Sequence, residues 1–408
     1  MVKLKTSIIT VIKITLYRKN RSCNRMRNSV IIPISILLAA MFTLLSSSTM
    51  VAWGQTTTSA TGSPPLVSTR NNFNLGTGEL LRGHNSTDYM PRNVPGLQVG
   101  QCPKEMVVLI HGIWVDGRIG VNALEDSSEI FDRARMSLAH NHYTNPLVGF
   151  SWDSNTAISI NGSGWNIAKL IAKDNGPKLA QFILDYMNTC KQHNQDTKIR
   201  LISHSMGARV ILSALESLDS NQQWNRNNFK IASVHLLGAA VDDEEVSKNI
   251  LYIDNNQTIL DNMSEWYDVY GIKSAYGKVI EDEVSRFYNL FDPKDIGLTL
   301  IYVKDEHDNA LGLKGAQMGI SLPSNYNQTD VQSEIPPLCD ADGDGRPDYP
   351  FKPGSELGIG DNHPGYMGFR DPTNHNILLD DGAMNVVVSN WNNSTSTQKH
   401  FSPETTTC

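Results

Sequence analysis

The residues Ser203-His204-Ser205-Met206-Gly207 stand where the apolar run Ile199 to Ser203 ends and the helical pattern Met206 to Leu218 begins. A sharp strand-to-helix turn lifts its central serine above a sheet edge, and the positions two away must be small because the backbones crowd there. Gly207 meets that demand, and Ser203 replaces the usual glycine on the other side. The start of a helix presents backbone N–H groups, so the Met206 amide is a candidate donor to an oxyanion forming at Ser205. About ninety residues upstream, Val107-Val108-Leu109-Ile110-His111-Gly112-Ile113-Trp114 is an apolar strand closing in His-Gly. There the Ile113 N–H is the candidate second donor, and His111 reads as a residue that shapes the loop.

A second pattern suits a metal. Asp340-Ala341-Asp342-Gly343-Asp344-Gly345-Arg346-Pro347-Asp348 sets carboxylates at loop positions one, three, five and nine, with Gly at six. Alternating carboxylates around a tight turn converge hard oxygens on one point, which fits Ca²⁺ better than softer ions. The candidate metal residues are Asp340, Asp342, Asp344, Arg346 and Asp348. Phe351 stands where a bidentate Glu would complete an EF-hand loop, so the expected affinity is that of a weak extracellular site; a solvated acidic loop is the alternative.

From Met106 onward, short apolar runs alternate with longer amphipathic ones, the signature of a parallel sheet wrapped by helices. Strands are expected at Met106 to Ile110, Leu147 to Trp152, Ile199 to Ser203, Ile231 to Leu237 and Ser285 to Phe291, with the last near Asp330 to Ile335. Trp165 to Thr189 has helical spacing, with a break expected at Gly176-Pro177. Trp266, Tyr267, Tyr270 and Tyr276 read either as a cap over the nucleophile or as core packing. The chain ahead of Cys102 is expected to wrap as a tail.

Together with Phe150-Ser151-Trp152-Asp153, these ordered motifs give Lys104 to Asn385 a pattern that resembles the α/β-hydrolase superfamily, in particular the esterase- and lipase-like hydrolases of archaea and bacteria. The resemblance implies a doubly wound, mostly parallel sheet with helices on both faces, in one catalytic domain. That domain is read as 102–400, followed by a tail at 401–408, with the Asp-rich segment at 336–354 as an insertion not usual for the family. It also implies the chain order nucleophile, acid, base. In Asn289-Leu290-Phe291-Asp292-Pro293-Lys294-Asp295 the acid position falls best on Asp295, with Asp292, Asp242 and Asp243 as rivals. In Asp361-Asn362-His363-Pro364-Gly365-Tyr366 the base falls on His363, with His375 as competitor. The activity implied is hydrolysis of carboxylic esters, lipid esters being a subset, through an acyl-enzyme on Ser205. The expected partner is a small-molecule or lipid ester. No organic cofactor is expected, and any Ca²⁺ would be structural. The alternative is a non-catalytic, calcium-binding surface glycoprotein on the same fold.

Composition narrows the setting. The chain has 408 residues and a net charge of −7, but residues 1–54 hold eight bases and no acid, so a protein starting at Gln55 would carry −15. Such a charge disfavours nucleic acid as a partner, because phosphate-tracking surfaces need clustered Lys and Arg. Residues 1–54 read as a secretory signal, with an apolar stretch from Val30 to Leu45 and small residues before Gln55, or as an uncleaved anchor, the only case in which membrane contact is expected. Residues 55–101 read as a spacer and tail. Cys102, Cys190, Cys339 and Cys408 form an even set, compatible with two disulfides in any of three pairings. N-x-S/T triplets at Asn85, Asn161, Asn256, Asn262, Asn327, Asn392 and Asn393 fit a secreted or cell-surface glycoprotein.

Overall fold

The computed structural model describes residues 64–113, 127–156, 163–249, 275–306, 308–335, 363–370 and 376–392. The Asp-rich loop, His375, Cys339, Cys408, the N-terminal 63 residues and the aromatic positions Trp266, Tyr267 and Tyr270 lie outside them.

Among the described residues, eight strands form one sheet: β1 (Leu66–Ser68), β2 (Met90–Arg92), β3 (Glu105–Ile110), β4 (Leu147–Ser151), β5 (Lys198–His204), β6 (Ser233–Leu237), β7 (Phe287–Phe291) and β8 (Tyr326–Asp330), in the order β2-β1-β4-β3-β5-β6-β7-β8. Every neighbouring pair is parallel except β1 with β2. Parallel strands need crossover connections, and these place helices on both faces. Side chains alternate accordingly: Met106, Val108 and Ile110 of β3 enter a core shared with α2 (Ser163–Gln192) and α3 (Gly207–Asp219). Val107 and Leu109 enter a second core under α1 (Ser127–His140) and the C-terminal helix Met384–Asn392. This is a doubly wound α/β sheet, buried on both sides, with the strand ends of β3, β5, β6 and β7 meeting at one edge.

Three expectations need correction. The break at Gly176-Pro177 does not occur, since α2 runs unbroken through Pro177. Proline removes the N–H that would bond the carbonyl four residues back, here that of Lys173, and the Ser213 hydroxyl of α3 donates to that carbonyl instead, at 2.8 Å. Gly176 lets the two helices approach, for a Cβ there would lie 2.3 Å from Ser213 Oγ. The last strand of this sheet is Tyr326–Asp330 and not 330–335, because this edge strand is polar and largely exposed, while Val331 and Ile335 beyond it are anchors in the second core. The tail ahead of Cys102 does more than wrap: it adds β1 and β2 to the sheet.

That N-terminal segment is tied down at two points. The Asp153 carboxylate accepts the backbone N–H groups of Asn71, Asn72 and Phe73, each at 2.9 Å. A disulfide joins Cys102 to Cys190 at the end of α2, across 88 residues of sequence.

Candidate active site

β5 delivers Ser205 through a turn in which its φ is +53°, a left-handed value that a non-glycine residue adopts only when its surroundings enforce it. Two backbone bonds hold it there: Ser205 N–H donates to Leu237 O at 3.0 Å, and Ala240 N–H donates to Ser205 O at 3.2 Å. Gly207 is required by crowding, because a Cβ there would sit 2.7 Å from the carbonyl oxygens of Ile110 and His111. Met206 precedes the first helical residue and is fully buried; amides at this position have no intrahelical acceptor.

The His-Gly turn after β3 lies directly against Ser205. A Cβ on Gly112 would come within 2.8 Å of Ser205 Cβ, so only glycine leaves room. Buried His111 sets this turn. Its Nε2 accepts from Trp152 N–H at 3.1 Å, which places the hydrogen on Nδ1, and Nδ1 donates to Gly112 O at 2.7 Å. In a trans peptide the C=O and the following N–H point in opposite directions, so holding Gly112 O also fixes the direction of the Ile113 N–H. Burial, with the Arg70 guanidinium 3.2 Å from Nε2, holds the His111 imidazole well below its ordinary pKa, and it stays neutral. The ring stacks on Trp152 at 5.6 Å.

Asp295 and His363 come together from distant parts of the chain. His363 opens a 3₁₀ turn, His363–Met367, and its Nδ1 is 2.6 Å from Asp295 Oδ2. A carboxylate oxygen accepts, so Nδ1 carries the hydrogen and Nε2 presents its lone pair. Asp295 is fully buried, and its Oδ1 accepts the Leu298 N–H at 2.8 Å, which fixes the carboxylate plane. Against the end of β6, Gly238 clears space for His363: a Cβ there would be 3.1 Å from His363 Cε1 and 2.7 Å from the Tyr366 ring.

The rival acids are engaged elsewhere. Asp292 Oδ1 accepts Lys294 N–H at 2.8 Å, and burial pushes its carboxyl up to about 6. Asp242 accepts the Tyr302 hydroxyl. Asp243 faces Glu244 and Asp308.

One contributor escapes a reading of the sequence. His204, beside the nucleophile, has Nε2 at 2.9 Å from the backbone oxygen of His363, and the two rings are 4.5 Å apart. Burial, followed by the field of His363, holds His204 well below the ordinary imidazole range. A neutral ring with its hydrogen on Nε2 donates to that carbonyl and anchors the segment carrying His363. The available signal was alternation along β5, which puts residue 204 on the same side as Ile202, the side of Tyr366 and Met367.

The sheet order, the helices on both faces and the strand-turn-helix serine define an α/β-hydrolase fold. Residues 102–272, under half of the 408-residue chain, match the family model described as "Alpha/beta hydrolase of unknown function (DUF900)". No curated protein matches the chain. Among solved structures, an esterase from Pyrococcus furiosus is similar at 11% identity and a TM-score of 0.25, over 56% of this chain and 72% of its own. The catalytic core domain of acetyl xylan esterase from Trichoderma reesei is similar at 11% identity and a TM-score of 0.23, over 36% and 68%. A Trichoderma reesei cutinase in complex with a phosphonate inhibitor is similar at 17% identity and a TM-score of 0.20, over 34% and 53%.

Proposed function

We propose that this chain is a serine hydrolase that cleaves carboxylic esters through an acyl-enzyme on Ser205. The observation that carries the reading is the Asp295–His363 pair at 2.6 Å, seated against the β6 turn that also holds the left-handed Ser205 backbone. In the first half-reaction, Ser205 Oγ attacks the ester carbonyl while His363 Nε2 takes the hydroxyl proton. Asp295 keeps Nδ1 protonated and stabilises the imidazolium. The Ile113 and Met206 amides donate to the oxyanion of the tetrahedral intermediate. Collapse expels the alkoxide, which receives the proton from His363. Water then repeats the cycle: His363 takes its proton, its oxygen attacks the acyl carbon, and the carboxylic acid leaves as Ser205 regains its hydrogen.

Two features of the setting belong to the same proposal. Export is supported by the N-terminal apolar segment and the even set of cysteines. A structural Ca²⁺ on Asp340, Asp342, Asp344, Arg346 and Asp348 is supported by their spacing and by their place between β8 and His363.

The deciding experiment is labelling with a fluorophosphonate probe alongside turnover of p-nitrophenyl esters, for wild type and Ser205→Ala. The variant is expected to lose labelling and at least roughly 10⁴-fold in kcat, with an unchanged melting temperature. Appreciable turnover by Ser205→Ala removes the assignment.

A further inference from the structure

The loop leaving β6 carries Asp242, Asp243, Glu244 and Glu245 into a buried polar region that also receives Glu306 and Asp308. Among the described residues, the cations at hand are already committed. Arg209 Nη1 lies 3.0 Å from Glu245, and Lys169 Nζ lies 2.5 Å from Glu306. Asp242 takes the Tyr302 hydroxyl. Asp243, Glu244 and Asp308 remain, each offering a carboxylate oxygen within 4.8 Å of the others.

Asp243 is the informative member. Its side chain is only 5% exposed, and its Oδ1 is buried with no hydrogen-bond donor among the described residues. Glu244 Oε2 is likewise buried without one. Leaving a carboxylate oxygen in that condition is strongly unfavourable, so native proteins rarely do it without a counter-charge. Facing carboxyls either share a proton or hold a cation between them.

We propose that Asp243, Glu244 and Asp308 form a binding site for a hard divalent cation, Ca²⁺ in preference to Mg²⁺. The all-oxygen donor set selects against softer metals. Donors from two separate segments, two of them half-buried and open to water, suit the flexible, many-liganded shell of Ca²⁺ better than the near-ideal octahedron of Mg²⁺. The ion ties together two strips of backbone already in contact, through Asp243 N–H to Asn309 O at 3.1 Å and Leu311 N–H to Val241 O at 2.8 Å. The first strip continues back to Ala240, whose N–H holds Ser205 O. Its role is therefore structural, stiffening the turn beside the nucleophile from behind, and it is separate from the Asp-rich loop at 340–348.

The test is Ca²⁺ stoichiometry by equilibrium dialysis, with melting temperature, on the full chain after chelation. It compares wild type, Asp243→Asn/Asp308→Asn, Glu244→Gln and Asp342→Ala/Asp344→Ala. The Asp342→Ala/Asp344→Ala protein is expected to keep a bound Ca²⁺ and a rise of a few degrees in melting temperature with millimolar Ca²⁺. Asp243→Asn/Asp308→Asn is expected to bind one Ca²⁺ fewer than wild type, and to melt above chelated wild type because like charges have been removed. Glu244→Gln, at a less buried position, should weaken Ca²⁺ binding about tenfold or more and guards against a folding defect in the double variant. If Asp243→Asn/Asp308→Asn and Glu244→Gln bind Ca²⁺ as wild type does, or if Asp342→Ala/Asp344→Ala abolishes all binding, the site does not exist.

Discussion

Ser205 holds a backbone conformation that costs a non-glycine residue on the order of 1 kcal/mol or more, and the Leu237 carbonyl and the Ala240 N–H hold it there. Ser205 could be singled out by a local rule, small neighbours around a strand-to-helix turn, whereas Asp295 and His363 could be reached only through the chain order of acid and base that the family resemblance implies. His204 and Arg70 could not, because their partners, His363 O and His111 Nε2, are 159 and 41 residues away and no local pattern records the contact. His111 yields the prediction at this scale. Since its Nδ1–H fixes Gly112 O and hence the Ile113 N–H, His111→Ala should lower kcat by roughly 10²-fold, the size of losing one oxyanion donor, with KM little changed. Steady-state kinetics on a short-chain ester check this; a rise in KM at constant kcat would mean that the turn contacts substrate and does not aim the donor.

Between elements, legibility depended on how fully each strand is buried. β3 to β7 stand out as apolar runs because both their faces are covered, whereas β1, β2 and β8 at the margins are short or polar and give almost no signal. The unbroken α2 was hidden for another reason: what rescues the Lys173 carbonyl is a hydroxyl on α3, a tertiary partner that no helix rule contains. The margin strands are held instead by specific anchors, and Asp153 is the clearest. Its Oδ1 accepts from Asn71 and its Oδ2 from Asn72 and Phe73, in a fully buried setting. Asp153→Ala would orphan these N–H groups and release β1, at an expected cost of about 3 kcal/mol or more. Denaturant unfolding should report that loss, and limited proteolysis should show new cleavage between residues 64 and 100 while the rest of the domain resists. Equal protease resistance in the variant would show that the Cys102–Cys190 bridge and sheet pairing hold the segment without Asp153.

Over the whole molecule, three fully buried imidazoles give folding a dependence on pH. Burial holds His111, His204 and His235 well below the ordinary 6.5, each aided by nearby positive charge or another imidazole. His235 is the one to test because, among the described residues, none of its ring contacts is with Ser205, Asp295 or His363. Its ring stacks on Tyr288 at 4.5 Å and meets the edge of Trp391 at 5.8 Å, with Asn390 Nδ2 3.5 Å from Nε2. Arg200 and Arg286 add the positive field that opposes its protonation. The unfolded chain takes up a proton at this residue below about 6.5 and the folded chain does not, so stability falls as the pH drops below that value. One such group contributes a slope of at most about 1.4 kcal/mol per pH unit. Asp292 and Asp380, pushed up mainly by burial to about 6 and about 7, act in the opposite sense, since the stability they give at low pH is lost as the pH rises through those values. Their effect is common to wild type and variant and cancels in the difference. His235→Asn should therefore lower stability near pH 7 by loss of ring packing, yet show a shallower decline between pH 6.5 and 5, so that the two curves converge as acid is added. Denaturant melts across that window measure both slopes. Parallel curves would mean that His235 is protonated in the fold, shared between Asn390 and the sheet edge despite the two guanidinium groups beside it.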